Sequence, residues 1–272
     1  MNVKESGLRL DVMICTLGIE GIRRVASGSH PRMEGVRYIV AWQLPDGDEE
    51  TPEELLREDF MVAKTPTRGL SRNRNVALGR ATAPLLLISD DDVDYTEEGL
   101  RRVINAFDAN PDCDILTFRY VSAKAPKYYP DGSCDLSHPA KGYYPTSFEI
   151  AMRRGSLPEG LRFDENFGIG ATFPSGEEDL FLHDALSHGL RGRFLPTDIC
   201  RHDGDTTADR LRRSPSLIEA KGAIVPLLYP GSWPLRMLLL AMRSARSGDM
   251  PLTTYLKAWL RGRRKARRLG RR

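Results

Sequence analysis

The chain has 272 residues, of which 40% are hydrophobic and 28% charged, a balance typical of a globular protein rather than a disordered or fibrous one. Its four cysteines are widely spaced and form no C-x-x-C pair, so the sequence indicates neither a zinc cluster nor a disulfide framework. The net charge of +3 is unevenly distributed, because nine of the 40 basic residues lie within residues 257–272. The rest of the chain, with 31 basic and 37 acidic residues, has a net charge of −6.

Strands and helices are predicted to alternate in the first half of the chain, which favours a mostly parallel sheet with helices on both faces. Strands are predicted over residues 8–16, 36–42, 85–90, 114–120 and 147–152. Helices are predicted over residues 21–27, 71–80, 96–110 and 177–188, with a further helix start at residues 51–54. The N-terminus has no signal-peptide pattern, and no stretch reaches the roughly 18 apolar residues of a membrane span.

The predicted strand over residues 85–90 runs directly into three adjacent aspartates, Asp90, Asp91 and Asp92. Like charges at neighbouring positions repel one another, and each carboxylate prefers water or a cation to an apolar core. A surface turn could explain one aspartate, but three at the carboxyl end of a buried strand indicate a ligand or metal site. Carboxylate oxygens are hard ligands that suit Mg²⁺ or Mn²⁺.

A second motif, SRNRN, opens the predicted helix upstream of the aspartates. It places two arginines and two asparagines in the first helical turn, where the helix N-terminus attracts anions and arginine matches phosphate oxygens. A solvated polar face explains Arg72 equally well. Arg74 and Asn75 are expected to lie closer to the aspartates, so we predict that they bind substrate.

A third motif, GEED, begins the predicted helix over residues 177–188 with Glu177, Glu178 and Asp179. Acidic residues at a helix start are stabilised by the helix dipole, which is a purely structural explanation. Because a glycine-rich loop precedes them, they are also candidates for a general base. His202 follows in a polar loop, where a neutral imidazole could ligate a metal.

The order of these motifs resembles the inverting GT-A glycosyltransferases of family 2, and the resemblance extends over about residues 8–205. It implies an α/β fold of the GT-A (Rossmann-like) type, with a mostly parallel sheet flanked by helices. Residues 1–210 would form the nucleotide-sugar transferase domain. Residues 211–272 would form a C-terminal helical segment with a basic amphipathic end.

The resemblance implies a divalent cation, Mn²⁺ or Mg²⁺, that bridges the donor diphosphate. Asp92 would bind this metal directly, and His202 would complete its coordination. Asp90 and Asp91 would contact the ribose, and Asp90 would also contact the metal. Thr16 and Gln43, at the ends of the first two strands, fall where the nucleotide usually binds.

The resemblance also assigns the catalytic base. Glu178 takes that position, with Asp179 as the alternative and Glu177 as a substrate contact in the same motif. The aspartate that often follows the second strand in this family is replaced here by Trp42 and Gln43, so the choice between UDP and other carriers stays open.

The predicted activity is metal-dependent transfer of a hexose from a nucleotide-sugar to the hydroxyl of a glycan or a lipid-linked acceptor, in cell-surface glycan synthesis. A metal-dependent phosphohydrolase, which would release phosphate without an acceptor, is the alternative enzyme. A nucleotide-binding module without catalysis is the second alternative. The Tyr- and Pro-rich residues 124–145 are a candidate acceptor loop, whose tyrosines could stack on sugars or simply pack.

The C-terminal residues 250–272 combine a dense basic face with apolar residues at helical spacing, namely Leu252, Tyr255, Leu256, Trp259 and Leu260. This pattern fits a helix that rests on anionic lipid. A nucleic-acid patch and a disordered tail are the alternatives. We favour lipid because of the lipid-linked acceptors of related enzymes, and predict a cytoplasmic protein, peripheral on the inner face of the cell membrane, with no nucleic-acid partner.

Overall fold

The computed structural model describes residues 7–45, 47, 49–124, 127–204 and 214–270. The chain divides into two units. The first comprises Met1–Arg68, Arg72–Arg162 and Asp184–Gly204, and the second comprises Gly69–Ser71, Phe163–His183 and Asp205–Arg272. The predicted division between residues 210 and 211 lies outside the described residues, so the domain assignment stays a prediction.

The first unit is built on a sheet of nine strands. They are β1 (Leu10–Leu17), β2 (Val36–Gln43), β3 (Phe60–Thr65), β4 (Leu85–Asp90), β5 (Asp94–Tyr95), β6 (Ile115–Val121), β7 (Cys134–Asp135), β8 (Ile150–Arg153) and β9 (Gly192–Arg201). The spatial order is β3-β2-β1-β4-β8-β6-β9-β5, and β7 pairs with β9. Strands β1 and β4 are almost continuously buried, as expected for strands covered on both faces.

The strand order reverses at β1, which is the feature that positions the site. Strand β1 pairs in parallel with β2 on one side and with β4 on the other, and β3 extends the parallel part beyond β2. Strand β8 joins β4 to β6 in antiparallel fashion, whereas β6 and β9 are parallel. Because Cys15 is the register partner of Asp90, the aspartates begin at the carboxyl ends of β1 and β4. Open α/β sheets bind ligands at such a switch point.

The helices of the described residues are α1 (Gly18–Ser27), α2 (Leu70–Arg80), α3 (Glu97–Ala109), α4 (Glu177–Ser187), α5 (Pro215–Leu228), α6 (Trp233–Arg246) and α7 (Leu252–Arg268). Helix α3 begins where the hydroxyl of Thr96 accepts a hydrogen bond from the backbone N–H of Gly99. Its apolar stripe is buried, as its periodicity predicts. The four predicted helices and the predicted strands through residue 120 are confirmed to within a few residues.

Three local predictions differ from the structure. Strand β3 was not predicted, and the helix start at residues 51–54 yields only a short 3₁₀ turn, Glu53–Leu55. The strand predicted over residues 147–152 begins instead with a 3₁₀ turn, Ser147–Glu149, and only then becomes β8. The cause is a capping box, in which the side chains of Thr146 and Glu149 each bond the other's backbone N–H and turn the chain.

The second unit contains α5, α6 and α7, and α7 packs on both of the other helices. One of its apolar clusters consists of Ile218, Ala241, Met250, Tyr255, Ala258 and Trp259. Tyr255 and Trp259 are only 2% and 0% exposed, so they belong to this core and do not face solvent or lipid as predicted. Among the described residues, no helix combines the length and the apolar character needed to cross a bilayer.

Candidate active site

Each of the three aspartates at the end of β4 contacts a different part of the first unit. Asp91 accepts a hydrogen bond of 2.6 Å from the Thr16 hydroxyl, and the Arg24 guanidinium contacts both of its oxygens at 3.0–3.2 Å. Asp90 accepts from Arg74 Nη2 at 3.1 Å through Oδ1 and from the Ser147 hydroxyl at 2.8 Å through Oδ2. Because each carboxylate has its own partners, three like charges can lie side by side and still be compensated.

Asp92 is the most exposed of the three, with 38% of its side chain accessible, and it faces His202. Nε2 of His202 lies 3.3 Å from Oδ2 of Asp92, and the imidazole packs on the rings of Tyr120 and Phe148. Burial lowers the pKa of His202, but the hydrogen bond and negative charge of Asp92 outweigh burial and raise the pKa overall. Burial raises the pKa of Asp92, and the hydrogen bond to His202 reverses this and lowers it. The structure therefore brings two of the three predicted metal ligands together, whereas the third, Asp90, bonds Arg74 and Ser147.

The SRNRN motif forms the start of α2, and its side chains differ sharply in exposure. Arg74 is 2% exposed and places its guanidinium on Asp90, whereas Arg72 is exposed. Asn73 is also buried, and its amide donates to the backbone carbonyls of Thr16 and Ala41 at 3.1 and 2.8 Å. Asn75 is partly buried one position further along. The motif thus supplies one buried cation to the aspartates and one amide that ties α2 to the ends of β1 and β2.

Thr16 and Gln43, the predicted nucleotide contacts, lie at the ends of β1 and β2 but are largely covered. They are 3% and 2% exposed, respectively. The Thr16 hydroxyl bonds Asp91, and the Gln43 amide donates to the Thr67 hydroxyl at 3.0 Å. Both side chains therefore lie at the predicted strand ends, where they also hold the protein's own polar groups in place.

The acidic residues of the GEED motif begin α4, in the second unit. Glu177 is 3% exposed, Glu178 is partly exposed and Asp179 is exposed. A Cβ on Gly168 would lie 3.2 Å from the Glu177 carboxyl carbon and 3.2 Å from the Ser71 hydroxyl, so Gly168 leaves room for this buried carboxylate. Of the three, Glu178 and Asp179 are accessible for proton transfer, and Glu177 is enclosed.

The tyrosines of the candidate acceptor loop divide into two groups. Tyr129 donates to the buried Glu149, and Tyr143 is 6% exposed and exchanges a hydrogen bond of 2.8 Å with Thr117. Tyr128 and Tyr144 are 59% and 55% exposed. Residues 125 and 126 of this loop lie outside the described residues. Packing therefore explains two of the tyrosines, and the other two are exposed, with Nζ of Lys127 5.0 Å from the ring centroid of Tyr144.

The residues around Asp92 fit a divalent cation in part. Within the described ranges, no three His, Cys, Asp or Glu side chains converge into a ready-made metal site. Asp92 and His202 do converge, and a Cβ on Gly204 would lie only 3.0 and 2.8 Å from their facing atoms, so a glycine keeps this space open. Mg²⁺ commonly uses one or two carboxylates together with substrate phosphates. Two protein ligands plus a diphosphate therefore fit such an ion.

Several residues that hold the site together were not predicted from the sequence. Arg24 anchors Asp91, Ser147 anchors Asp90, and Asn73 bonds two strand ends. Arg24 and Ser147 lie 67 and 57 residues from their aspartates, so no local pattern reveals these pairs. For Asn73 the sequence did contain an indication. It is a second amide at a helix start that faces strand ends, where backbone groups need hydrogen-bond partners.

Comparison with known families supports the resemblance noted in the sequence. Residues 45–169 match the family described as Glycosyl transferase family 2, a segment that contains Arg74, Asn75 and all three aspartates. The predicted resemblance to this family is thereby confirmed over the matched segment. No curated protein matches the chain.

Solved structures show the same fold at low sequence identity. S. aureus TarS 1-349 matches with a TM-score of 0.60 and 16% identity, over 95% of this chain and 92% of that chain. The same protein in complex with UDP-GlcNAc gives a TM-score of 0.61 at 16% identity, with the same coverage. The mannosyltransferase PcManGT from Pyrobaculum calidifontis, in complex with GDP-Man and Mn²⁺, gives 0.53 at 15% identity, over 92% of this chain and 73% of that chain.

The predicted fold class is therefore confirmed, because the sheet with its flanking helices is that of the GT-A transferases. Together with the family match, the fold supports glycosyl transfer as the class of activity. The match favours transfer over the phosphohydrolase considered as the alternative.

Proposed function

We propose that the chain is an inverting, metal-dependent glycosyltransferase that moves a hexose from a nucleotide-sugar to an acceptor hydroxyl. The observation that carries the proposal is that the three aspartates at the switch point of the sheet each have different partners. Asp92 faces His202, Asp90 faces the buried Arg74, and Asp91 is tied to Thr16 and α1. A carboxylate with an imidazole beside a carboxylate with a guanidinium can receive a cation and a diphosphate together.

In this proposal, Asp92 and His202 hold Mn²⁺ or Mg²⁺, with Asp90 as a further ligand. When bound, the cation neutralises charge on the diphosphate that leaves. Arg74 contributes a second positive charge, and because it is buried its charge is poorly screened by water. Thr16, Gln43, Asn75, Asp91 and Glu177 are the proposed contacts to the nucleotide and sugar.

Glu178 is the proposed general base. It takes the proton of the acceptor hydroxyl, whose oxygen forms a bond to C1 of the sugar. The bond from C1 to the diphosphate oxygen breaks, and its electron pair leaves with the diphosphate. Attack from the face opposite the leaving group inverts the configuration at C1. The partial exposure of Glu178 supports this choice over the enclosed Glu177, and Asp179 is the alternative base.

The proposed acceptor is a cell-surface glycan or its lipid-linked precursor. Tyr128 offers an exposed aromatic ring on which a sugar ring could stack. A lipid-linked acceptor would be consistent with a cytoplasmic enzyme held at the inner face of the membrane by the basic residues 250–272. The last two of these, 271 and 272, lie outside the described residues.

Nucleotide binding tests the donor site directly. We would titrate UDP, GDP, dTDP and CMP into the protein by calorimetry, with and without Mn²⁺. UDP-GlcNAc and GDP-Man would be included because structurally similar enzymes have been solved with them. We expect one carrier to bind in a metal-dependent manner, and Asp92→Ala to abolish the metal dependence.

The matched control is Asp94→Ala, only two positions further, where the carboxylate accepts a hydrogen bond from the backbone N–H of Ser29. This variant should keep the metal-dependent binding. Absence of binding by every nucleotide, with or without metal, would overturn the transferase proposal. Equal loss in both variants would show that the loop between β4 and α3 had been disturbed and that Asp92 has no special role.

A further inference from the structure

Arg24, on α1, holds Asp91 by one edge of its guanidinium. Its Nε and Nη2 both lie 3.2 Å from Oδ1 of Asp91, and Nη2 lies 3.0 Å from Oδ2. The other terminal nitrogen, Nη1, has no hydrogen-bond partner among the residues that the structure describes. Because the guanidinium is a planar fork of N–H donors, one edge can bind a carboxylate while the other edge binds a second anion.

Exposure distinguishes Arg24 from Arg74, the other arginine that pairs with one of the three aspartates. The side chain of Arg24 is 53% exposed, whereas that of Arg74 is 2% exposed. A ligand can therefore touch the guanidinium of Arg24, while Arg74 is enclosed and acts through its charge. The hydrogen bond to Asp91 raises the pKa of Arg24 against the effect of burial, and the negative charges of Asp91 and Asp92 add to it. Arg24 thus lies within electrostatic range of the proposed metal ligand.

Asp91 is placed to hold Arg24 more than to bind a ligand itself. Its side chain is 15% exposed, Oδ1 is engaged by Arg24, and Oδ2 accepts from both Arg24 and the Thr16 hydroxyl. Gly21 lies three residues before Arg24, on the same side of α1. A Cβ on Gly21 would lie 2.1 Å from the Thr16 hydroxyl oxygen and 2.9 Å from Oδ2 of Asp91. The glycine therefore lets α1 approach closely enough for Arg24 to reach Asp91.

We propose that Arg24 binds the donor diphosphate through Nη1, while Asp91 and Thr16 position its guanidinium. This inference rests on the proposed function and refines it, because Asp91 then acts on the donor through Arg24 and not by direct contact. Hydrogen bonds between a guanidinium and phosphate oxygens are charge-assisted and are among the strong ones in proteins. The fixed carboxylate also restricts the motion of a half-exposed arginine, so less conformational freedom is lost when the diphosphate binds.

Calorimetric titration of UDP and GDP into the full chain, with Mn²⁺, tests the contact to the diphosphate. Arg24→Gln should lower the affinity for the nucleotide that the wild type binds by about tenfold or more, as expected for the loss of a charge-assisted hydrogen bond. Arg23→Gln is the matched control, because Arg23 is the neighbouring residue of α1, its side chain is 68% exposed, and it pairs with Glu20 at 3.0 Å. It removes the same charge and should change the affinity by less than about twofold.

A double-mutant cycle tests whether Asp91 acts through Arg24. Asp91→Asn should lower nucleotide affinity, although removal of a negative charge beside a diphosphate would by itself raise it. Arg24→Gln/Asp91→Asn should lose no more affinity than Arg24→Gln alone, because the two residues act as one unit. The 2′-deoxy forms of UDP and GDP should show the same losses, since the ribose hydroxyl takes no part in this contact. Circular dichroism should verify that each variant folds.

Three outcomes would overturn the role of Arg24 and leave the proposed function standing. Equal losses in Arg24→Gln and Arg23→Gln would show a general effect of charge on α1. A loss that disappears with the 2′-deoxy nucleotides would assign Arg24 to the ribose, through Asp91. Additive losses in the double variant would show that Asp91 contacts the nucleotide independently. The wild-type titration decides the proposed function separately, and failure of the wild type to bind any nucleotide would overturn both proposals.

Discussion

Glu177 and Glu178 are neighbours with the same charge, yet their surroundings differ. Glu177 is enclosed and Glu178 is partly exposed at the start of α4. If Glu178 is the base, Glu178→Gln should lower the rate of transfer by about 10²–10⁴-fold, the usual contribution of general-base catalysis. Nucleotide affinity should stay close to that of the wild type, because a glutamine of the same size preserves the helix start. Steady-state transfer rates and calorimetry on the same preparation provide the two measurements.

Asp179→Asn is the control for this experiment, since it removes an exposed charge one position further along. It should retain most of the activity. A large loss in Asp179→Asn together with a small loss in Glu178→Gln would exchange the roles of the two residues. A loss of nucleotide binding in Glu178→Gln would show that the substitution disturbed more than proton transfer.

A buried ion pair between β1 and β2 permits a second prediction. Asp11 is 0% exposed, bonds Arg37 at 2.8 and 2.9 Å, and accepts from the backbone N–H groups of Thr82 and Ala83. Asp11→Asn leaves the guanidinium without its counter-charge and should lower the free energy of unfolding by about 3–5 kcal/mol. Urea unfolding followed by circular dichroism measures the change.

The chain offers a matched pair with the same chemistry at the surface. Arg9 and Asp108 also form a two-bond pair at 2.8 and 2.9 Å, but their side chains are 47% and 59% exposed. Asp108→Asn should therefore cost only about 0–1 kcal/mol, because water already solvates both charges. Similar losses at the two positions would mean that burial does not govern the strength of these ion pairs.

The sequence revealed the chemically distinctive residues but not the residues that position them. The aspartates were predictable because a buried apolar run that stops on three charges needs a reason, and the carboxyl end of a parallel strand provides one. Arg24 and Ser147 were not predictable, since ordinary side chains far away in sequence become partners only after the strands have paired. Likewise, the motif assigned different roles to Glu177 and Glu178, but it did not show that Glu177 is enclosed and Glu178 accessible.

At the scale of elements, the crossing of α5 and α7 depends on two glycines. A Cβ on Gly262 would lie 1.8 Å from the carbonyl oxygen of Glu219, and one on Gly222 would lie 2.1 Å from that of Trp259. Backbone atoms cannot move aside as a flexible side chain can. Gly262→Ala should therefore force the helices apart and lower the free energy of unfolding by about 1–3 kcal/mol, as expected for an overpacked interface.

Gly79→Ala in α2 is the control for this substitution. A Cβ there meets nothing within 4 Å, so the only effect is on helix propensity. It should raise the free energy of unfolding by about 0.5–1 kcal/mol. Changes in the free energy of unfolding that have opposite signs at the two glycines, measured by urea unfolding, would establish close helix packing as the cause. A stabilising effect of Gly262→Ala would contradict the crossing described here.

Predictions of elements succeeded where a strong local pattern coincided with the tertiary structure. The periodicity of α3 and the apolar runs of β1 and β4 are such patterns. Strand β3 lacks one, because its six residues are mostly half-buried and follow a polar segment. The start of β8 was predicted wrongly for a different reason. The residues before β8 have strand propensity, but the hydrogen bonds of a capping box hold them in a turn.

At the scale of the whole molecule, the uneven charge of the chain was visible in the sequence, but the role of the basic end in folding was not. Residues 257–272 carry nine of the 40 basic residues, and with the apolar residues beside them they predicted a helix that rests on anionic lipid. The structure shows that one face of α7 belongs to the core, because Trp259 and Ala258 are 0% exposed. A helix can have both a charged, exposed face and an apolar, buried face only if it is packed along one side.

Removal of residues 250–272 should consequently do more than delete charge. Without Tyr255 and Trp259, the apolar faces of α5 and α6 would lose the residues that cover them, such as the partners of Ile218 and Ala241. We expect circular dichroism to show a loss of helix greater than the 17 residues of α7, and limited proteolysis to cut within α5 and α6. Arg264→Gln/Arg268→Gln, at two exposed positions, reduces the charge and should keep the helical signal and protease resistance of the full chain. A truncated protein that loses only the signal of α7 and resists proteolysis elsewhere would show that the basic end is an appendage after all.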